Sequence, residues 1–300
     1  MNLFANAEIE NQDDKIVNVA SVPQRSPFRY PGGKTWLVPI VRKWLRSRKA
    51  KELIEPFAGG GIISLTAAFE KLVDHVTMVE FDDQVAAVWE TIFNGGNQRL
   101  AERIVHFEMT AENVKAILSK TEVSREELAF QTILRNRVNH GGILAPGSGL
   151  LKHGENGKGL KSRWYADTLY KRIVNITHVK DTVRFVHGDG MAVLRANQAN
   201  RDTAFFIDPP YTAAGKKAGK RLYSHSELDH DLLFEIAAGL SGDFLMTYDN
   251  AEGVADLARK HNFDMQTVGM KNTHHAEMTE LLISRDLDWI RRADERRLAS

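Results

Sequence analysis

Cysteine is absent from this 300-residue sequence, and its absence excludes three kinds of chemistry at once. Without thiols the chain has no disulfide bond, no thiolate ligand for zinc and no cysteine nucleophile. The sequence also lacks an apolar run near the ~20 residues that span a membrane, and residues 1–24 lack the apolar region of a secretory signal. We therefore expect a cytoplasmic protein with a polar leader over residues 1–24 and no contact with a membrane.

A strong net charge is missing as well, because 40 basic and 39 acidic residues leave a formal charge of +1. The distribution is uneven, since residues 135–180 hold nine Lys or Arg against two acids and residues 216–221 hold four more basic residues. Such patches can bind a polyanion, or they can be an ordinary solvated surface. Charge alone leaves both interpretations open.

Apolar strand-like segments alternate with helical segments, which predicts an α/β fold with a parallel, doubly wound sheet. The predicted strands cover residues 51–57, 76–81, 183–187, 204–207, 244–248, 265–269 and 281–284. The predicted helices include residues 62–72, 84–93, 125–136 and 164–176. Seven glycines between residues 141 and 159 interrupt the alternation. Residues 94–180 are therefore predicted to be a mostly helical insertion with a mobile glycine-rich loop.

A glycine turn follows the first predicted strand, at residues 55–61 (EPFAGGG). Ligands of open α/β sheets bind at this edge, although a plain turn is the alternative. Ser64 stands where a dinucleotide fingerprint needs glycine, so that pattern is incomplete. Glu80 ends the second predicted strand 19 residues after Gly61. An acid at about this spacing from a glycine turn can accept hydrogen bonds from both ribose hydroxyls of a nucleoside cofactor. The neighbouring Asp82 and Asp83 are candidates for a helix cap.

Two further segments carry chemistry. Residues 30–35 (YPGGKT) fail as a triphosphate-binding loop because Phe28 replaces a required glycine. An aromatic ring and Lys34 remain, suited to a nucleoside with a carboxylate, and a plain Pro-Gly turn is the alternative. Residues 205–211 (FFIDPPY) run from an apolar strand into an acid, two prolines and an aromatic ring. Because proline has no N–H and a fixed φ, this loop is rigid and its carbonyls point outward, which suits an exocyclic aromatic amine.

The chain resembles the DNA adenine methylase family over about residues 26–285. The resemblance lies in three motifs that occur in the same order as in that family, at residues 30–34, 55–61 and 208–211. Smaller agreements lie at residues 136–137, 188–189 and 247–248. The resemblance implies a Rossmann-like class I methyltransferase sheet of about seven strands, an inserted, mostly helical target-recognition domain, and S-adenosyl-L-methionine as the cofactor. The expected boundaries are residues 25–93 and 181–287 for the catalytic domain, 94–180 for the insertion and 288–300 for a charged tail.

The resemblance also implies roles for individual residues. The catalytic residues would be Asp208, Pro209, Pro210 and Tyr211. The cofactor would contact Tyr30, Gly32, Gly33, Lys34, Glu55, Phe57, Gly59, Gly61, Glu80, Asp189 and Asp208. DNA contacts are predicted, from the resemblance and from the basic patches, at Arg29, Arg135, Arg137, Asn139, His140, Lys152, Lys158, Arg163, Lys216 and Lys217. Further phosphate candidates are Lys161, Lys171, Arg172, Lys220 and Arg221. Similar enzymes often carry an aromatic residue and Asn or Ser where His140 and Gly141 stand, so the target sequence is left open.

The chemistry follows from the residues present. Methylation of a cytosine ring carbon needs a thiolate, which this chain lacks, whereas transfer to an exocyclic amine needs no covalent intermediate. Asp208 and the carbonyl of Pro209 would hold the amine, and the carboxylate would stabilise the positive charge that grows on nitrogen. Tyr211 would stack on the target base, which must first leave the duplex.

We therefore expect an adenine-specific DNA methyltransferase that acts on double-stranded DNA as a monomer, with a dimer left open. A restriction endonuclease is a genetic partner that such enzymes can have. The alternatives are methylation of the cytosine amine, methylation of adenine in RNA, and a DNA-binding module with a decayed active site. A nicotinamide-dependent oxidoreductase is disfavoured by Ser64 and leaves the loop at residues 208–211 unexplained.

Overall fold

Seven strands form one sheet in the order β3-β2-β1-β4-β5-β7-β6. The computed structural model describes residues 22–29, 33–144, 148–149, 151, 154, 157, 159–210, 228–271 and 277–291. The strands are β1 (Glu52–Glu55), β2 (His75–Glu80), β3 (Val183–His187), β4 (Thr203–Ile207), β5 (Asp243–Asp249), β6 (Asp264–Lys271) and β7 (Glu277–Ser284). Each predicted strand is therefore present, and the α/β class with about seven strands is confirmed.

Ten α-helices of the described chain connect or flank these strands. They are α1 (Val38–Arg48), α2 (Ile62–Phe69), α3 (Asp83–Thr91), α4 (Asn97–His106), α5 (Ala111–Leu118), α6 (Arg125–Val138), α7 (Ala166–Asn175), α8 (Gly190–Ala196), α9 (His230–Gly239) and α10 (Glu252–Lys260). A 3₁₀ turn, Lys34–Leu37, leads into α1. The sequence pattern gave no separate helix at α1, α4 or α5. It predicted α2, α3, α6 and α7 to within a few residues, and it gave no bounds for α8, α9 and α10.

The prediction of a wholly parallel sheet is wrong at one edge. Strands β1 to β5 are parallel to one another, but β7 is antiparallel to both β5 and β6. Only residues 272–276 separate β6 from β7. A parallel pair needs a crossover of about a dozen residues, so a connection this short joins antiparallel neighbours.

The helical region between β2 and β3 packs onto the sheet without a break in the apolar core. Leu100 of α4, Phe130 of α6 and Ile173 of α7 are buried in the same hydrophobic cluster as Val76 of β2 and Trp89 of α3. The region is helical, as predicted, at α4 to α7. Its role as a target-recognition domain with boundaries at residues 94 and 180 stays a prediction.

The strand order creates the place where a ligand can bind. β1 lies in the middle of the parallel strands, between β2 and β4; the chain adds β2 and β3 on one side of β1 and then returns to add β4 and β5 on the other. At such a switch point the loops at the carboxyl edge diverge and leave a crevice. The residues that follow β1, β2 and β4 therefore meet at one edge. Within the described part of the chain, no helix has the length and apolar character that a membrane span requires.

Candidate active site

A cavity of about 780 Å³ opens at the carboxyl edge of the sheet, beside β1, β2 and β4. Its volume lies within the roughly 300–1,000 Å³ typical of small-molecule sites. Residues that follow these strands, and the first turns of α2, α3 and α8, form much of its wall. The predicted site residues in the wall are Arg29, Gly33, Lys34, Glu55, Phe57, Gly59, Gly61, Glu80, Arg137, Arg172, Asp189, Asp208, Pro209 and Pro210.

The glycine turn after β1 depends on backbone conformations that favour glycine. Gly59 and Gly61 have φ values of +48° and +63°, and a Cβ at Gly61 would lie 2.5 Å from the side chain of Met78. The buried carboxylate of Glu55 accepts hydrogen bonds from the backbone N–H and the hydroxyl of Ser64, in the first turn of α2. Burial raises the pKa of Glu55 to about 8, although these hydrogen bonds oppose the shift. Glu55 thus lies in the cavity wall and also caps a helix.

Glu80 ends β2 with its carboxylate hydrogen bonded to the backbone. One oxygen accepts from the N–H of Gly59 at 2.9 Å, and the other accepts from Phe81 at 2.9 Å and Asp82 at 2.8 Å. A carboxylate has about four acceptor positions, so the described structure leaves one for a ribose hydroxyl rather than the two that we predicted. Burial raises the pKa of Glu80 to about 7. Asp82 is the N-cap of α3, as one of the two predicted candidates.

Lys34 joins two carboxylates at the start of the catalytic tetrapeptide. Its ammonium lies 3.1 Å from Oδ1 of Asp208 and 3.2 Å from Oε2 of Glu280, and its side chain is 3% exposed. Burial alone would lower the pKa of Lys34, but the two carboxylates outweigh burial and raise it. Thr247 of β5 donates its hydroxyl to Oδ1 of Asp208 at 2.8 Å. The carboxylate of Asp208 is therefore held by a cation and a hydroxyl.

The remaining described residues of this end of the cavity have simpler surroundings. Pro209 is buried and Pro210 is half-buried. Asp189 is the N-cap of α8, where it accepts a hydrogen bond from the N–H of Met191 at 2.8 Å. Phe57 is partly buried beside the glycine turn. All four wall residues lie on loops that follow β1, β3 or β4 and are positioned by those strands.

The opposite end of the cavity is basic. Arg29, Arg137 and Arg172 all line it, and the guanidinium groups of Arg137 and Arg172 donate to the carbonyls of Pro27 and Ser26. Arg137 is 3% exposed, and its Nε has no hydrogen-bond partner among the described residues. Burial, together with the charges of Arg172 and Arg29, lowers the pKa of Arg137 to about 9. An anionic group that enters the cavity would relieve this arrangement.

The burial of Arg137 bears on its predicted DNA contact. We predicted a phosphate contact within a basic surface patch, but the side chain is 3% exposed and packs against residues 26–29, so it can meet only a group that enters the cavity. Asn139 is also buried, and it donates to the carbonyl of Ile143 at 2.8 Å, which closes the turn that follows α6. Both side chains pair with backbone carbonyls, as buried polar groups generally do. Contact of either residue with DNA stays a prediction.

The other predicted DNA residues differ in exposure. Arg135 is partly buried and donates to the side chain of Gln84 at 2.9 Å, which ties α6 to α3. His140 is exposed at the start of a 3₁₀ turn. Lys161 and Lys171 are exposed, and Arg163 is partly buried. The predicted residues outside the described part of the chain are Tyr30, Gly32, Lys152, Lys158, Tyr211, Lys216, Lys217, Lys220 and Arg221.

Two residues that line the cavity, and one residue beside it, escaped prediction. Phe81 and Tyr165 are each 55% exposed although both line the cavity, and Tyr165 has a φ of +38°, which is unusual for a residue with a side chain. Neither position carries a local sequence signal. Glu280 does carry one, because it is an acid within the apolar run of β7. The predicted strand began one residue too late to include it.

The family model for the D12 class N6 adenine-specific DNA methyltransferase matches residues 30–140, a stretch that ends before Asp208. No curated protein matches the chain.

Several solved structures are similar at low identity. A methyltransferase from Geobacter sulfurreducens is 14% identical, with 86% of this chain and 80% of that chain covered and a TM-score of 0.37. A precorrin-6y methyltransferase from Geobacter metallireducens is 10% identical (coverage 91% and 94%, TM-score 0.38). The rRNA methyltransferase aviRa from Streptomyces viridochromogenes is 11% identical (coverage 93% and 94%, TM-score 0.36). The family match confirms the resemblance to the DNA adenine methylases over residues 30–140, and it supports an S-adenosylmethionine-dependent methyltransferase.

Proposed function

We propose that the protein transfers a methyl group from S-adenosylmethionine to the exocyclic amine of an adenine that has been flipped out of duplex DNA. The observation that carries this proposal is the polarity of the cavity. Its wall carries an acidic cluster, Glu55, Glu80 and Asp208, which we call the acidic end, and a basic cluster, Arg29, Arg137 and Arg172, which we call the basic end. A cationic cofactor suits the acidic end, and a nucleotide with its phosphate suits the basic end.

The acidic end fits S-adenosylmethionine. Burial raises the pKa of Glu55 to about 8 and that of Glu80 to about 7, so each carboxylate would gain from a nearby cation. S-adenosylmethionine carries a sulfonium, an ammonium and a carboxylate, which sum to one positive charge. Glu80 would hold a ribose hydroxyl through its remaining acceptor position, and the glycine turn would allow close approach of the ligand. When bound, this cofactor supplies an electrophilic methyl group.

Asp208 would act on the amine of the target base. An aromatic amine is a weak nucleophile because its lone pair is delocalised into the ring. A carboxylate that accepts an N–H bond localises this lone pair and stabilises the positive charge that grows on nitrogen. Lys34 and Thr247 fix Oδ1 of Asp208, and we assign Oδ2 to the amine. The carbonyl of Pro209, in a loop without backbone N–H donors at residues 209 and 210, would accept the second N–H.

The basic end would receive the nucleotide that carries the base. When a nucleotide is flipped out of the duplex, its base enters the pocket and its phosphate comes to the mouth of the pocket. The partly buried Arg172 would contact the phosphate at the mouth, and the buried Arg137 would face the part of the nucleotide that enters the cavity. Within the described part of the chain, both guanidinium groups donate to backbone carbonyls. Tyr165, 55% exposed at the same end, presents a ring that can flank the inserted base.

The test is transfer of a labelled methyl group to different polymers. The purified protein is incubated with methyl-labelled S-adenosylmethionine and, separately, with unmethylated genomic duplex DNA, the same DNA denatured, and total RNA. The proposal expects label in duplex DNA and its loss in an Asp208→Ala variant. Label in RNA alone would replace the proposed substrate. No label in any polymer, with no binding of the cofactor, would refute the enzyme function.

A further inference from the structure

Glu280 lies next to the catalytic machinery without lining the cavity. It is 4% exposed on β7, and its carboxylate lies 3.2 Å from the ammonium of Lys34, which also contacts Asp208 at 3.1 Å. Counted together, these three side chains hold one positive and two negative charges. A second buried carboxylate is costly to keep ionised, so its presence beside Lys34 calls for an explanation.

The Lys34 ammonium has two opposing effects on Asp208, and the charge of Glu280 offsets one of them. The ammonium orients Asp208, but it also neutralises the carboxylate that should stabilise positive charge. A neutral Lys34–Asp208 pair would attract a sulfonium weakly. With an ionised Glu280 on the other side of Lys34, the three groups keep a net charge of −1. Burial raises the pKa of Glu280 to about 7; Lys34 opposes this shift, and Asp208 and Asp249 add to it. The net charge of −1 therefore holds above that pH, where the two ligands are compared.

We propose that Glu280 is a positioning and selectivity residue, which keeps the Lys34 cluster negative and thereby makes the site prefer S-adenosylmethionine over S-adenosylhomocysteine. This inference rests on the proposed function only in that S-adenosylmethionine is the donor. The two ligands share the adenosine, the ammonium and the carboxylate, and they differ by one methyl group and one positive charge at sulfur. Contacts to the shared parts cancel in the ratio of the two dissociation constants. The ratio therefore reports the charge that faces the sulfur.

This arrangement has a consequence for turnover. After methyl transfer the donor becomes a neutral thioether, and the attraction from the net negative cluster disappears at that moment. A site that discriminates by charge binds its product less tightly than its substrate without any conformational change. Glu280 would then favour exchange of product for fresh cofactor, although it touches neither ligand.

The experiment measures dissociation constants for both ligands by titration calorimetry. A unit charge about 10 Å from the sulfur, at an effective dielectric constant of about 20, changes a binding constant by roughly tenfold. We expect Glu280→Gln to weaken S-adenosylmethionine about tenfold and to leave S-adenosylhomocysteine nearly unchanged. The double variant Lys34→Gln/Glu280→Gln removes one charge of each sign, so its ratio should return toward that of the wild type. Glu70→Gln is the matched control, because Glu70 pairs with Arg42 and Arg25 and none of the three lines the cavity.

Other results would overturn the inference. If Glu280→Gln weakens both ligands equally, Glu280 has a structural role and no part in selectivity. The same conclusion follows if the double variant keeps the ratio of the single variant. Should Glu280→Gln fail to fold, Lys34→Gln alone decides, because it makes the cluster more negative and must increase the preference for S-adenosylmethionine. Binding of both ligands without methylation of DNA would refute the proposed substrate and not this inference, whereas binding of neither refutes both.

Discussion

Replacing Asp208 by asparagine removes one negative charge from the cavity and alters little of the structure around it. The amide oxygen of asparagine can still accept the hydroxyl of Thr247, which donates at 2.8 Å in the present structure. Lys34 keeps an anionic partner, because Glu280 lies 3.2 Å from its ammonium. Asp208 is 21% exposed, so solvent can fill any small gap. The fold should therefore remain intact.

The expected effect on the rate follows from the role of the carboxylate. Removal of one preorganised group aimed at developing charge costs about 10²–10³-fold in turnover, or roughly 3–4 kcal/mol. Thr247→Val is a milder perturbation, because it removes one hydrogen bond and leaves the charge. Such a bond contributes about 1 kcal/mol, so we expect a fall of roughly fivefold to tenfold in that variant.

Single-turnover transfer of label to saturating duplex DNA measures this directly. The enzyme is first loaded with labelled S-adenosylmethionine at a concentration well above its dissociation constant, so that weaker binding does not contribute. Circular dichroism and thermal unfolding check that each variant is folded. A rate for Asp208→Asn within about threefold of the wild type would refute the electrostatic role, since a preorganised charge removes far more than that. If Asp208→Asn and Thr247→Val slow methyl transfer equally, the expectation that loss of the charge costs more than loss of one hydrogen bond is refuted.

Three further predictions concern stability, protons and salt. Asn136→Ala should lower the free energy of unfolding by about 2–3 kcal/mol, because it unpairs buried backbone groups of Arg29 and Gly142; a loss below about 0.5 kcal/mol in denaturant unfolding would contradict this. Burial raises the pKa of Glu80 to about 7, so near pH 7 the carboxyl group is partly protonated in the free protein. A bound cation lowers that pKa. Calorimetry in two buffers should therefore detect proton release when S-adenosylmethionine binds, and less release when S-adenosylhomocysteine binds. Affinity for duplex DNA should fall steeply with salt, and Arg172→Gln should reduce the logarithmic slope by about one; a slope unchanged in this variant would remove Arg172 from the interface.

The strand-end residues could be predicted because their positions depend on local sequence. An apolar run defines a strand, and the residue that ends it lies at the edge of the sheet wherever that strand is placed. β3 covers the predicted residues 183–187, and Glu80 and Asp208 end or follow β2 and β4 as expected. Because parallel strands share one carboxyl edge, these local predictions were enough to bring Glu80 and Asp208 to one cavity.

The contacts and the burial that the sequence did not reveal depend on distant pairings. Lys34 and Glu280 are 246 residues apart, and they meet only because β7 inserts antiparallel beside β5. Nothing in a single sequence specifies that neighbour. Arg137 was predicted on the surface because charged residues are mostly exposed, whereas packing against residues 26–29 buries it. Burial of a charge is a property of the tertiary structure.

The identity of the methylated base tests the central claim most directly. Genomic DNA that lacks adenine methylation is incubated with the enzyme and methyl-labelled S-adenosylmethionine, digested to nucleosides, and separated by liquid chromatography with mass spectrometry. We predict that the label elutes with N6-methyladenine and that Asp208→Ala abolishes it while cofactor binding remains measurable. Label in N4-methylcytosine would keep the role of Asp208 on an exocyclic amine and contradict adenine as the target. Label that persists in the variant would contradict the catalytic assignment itself.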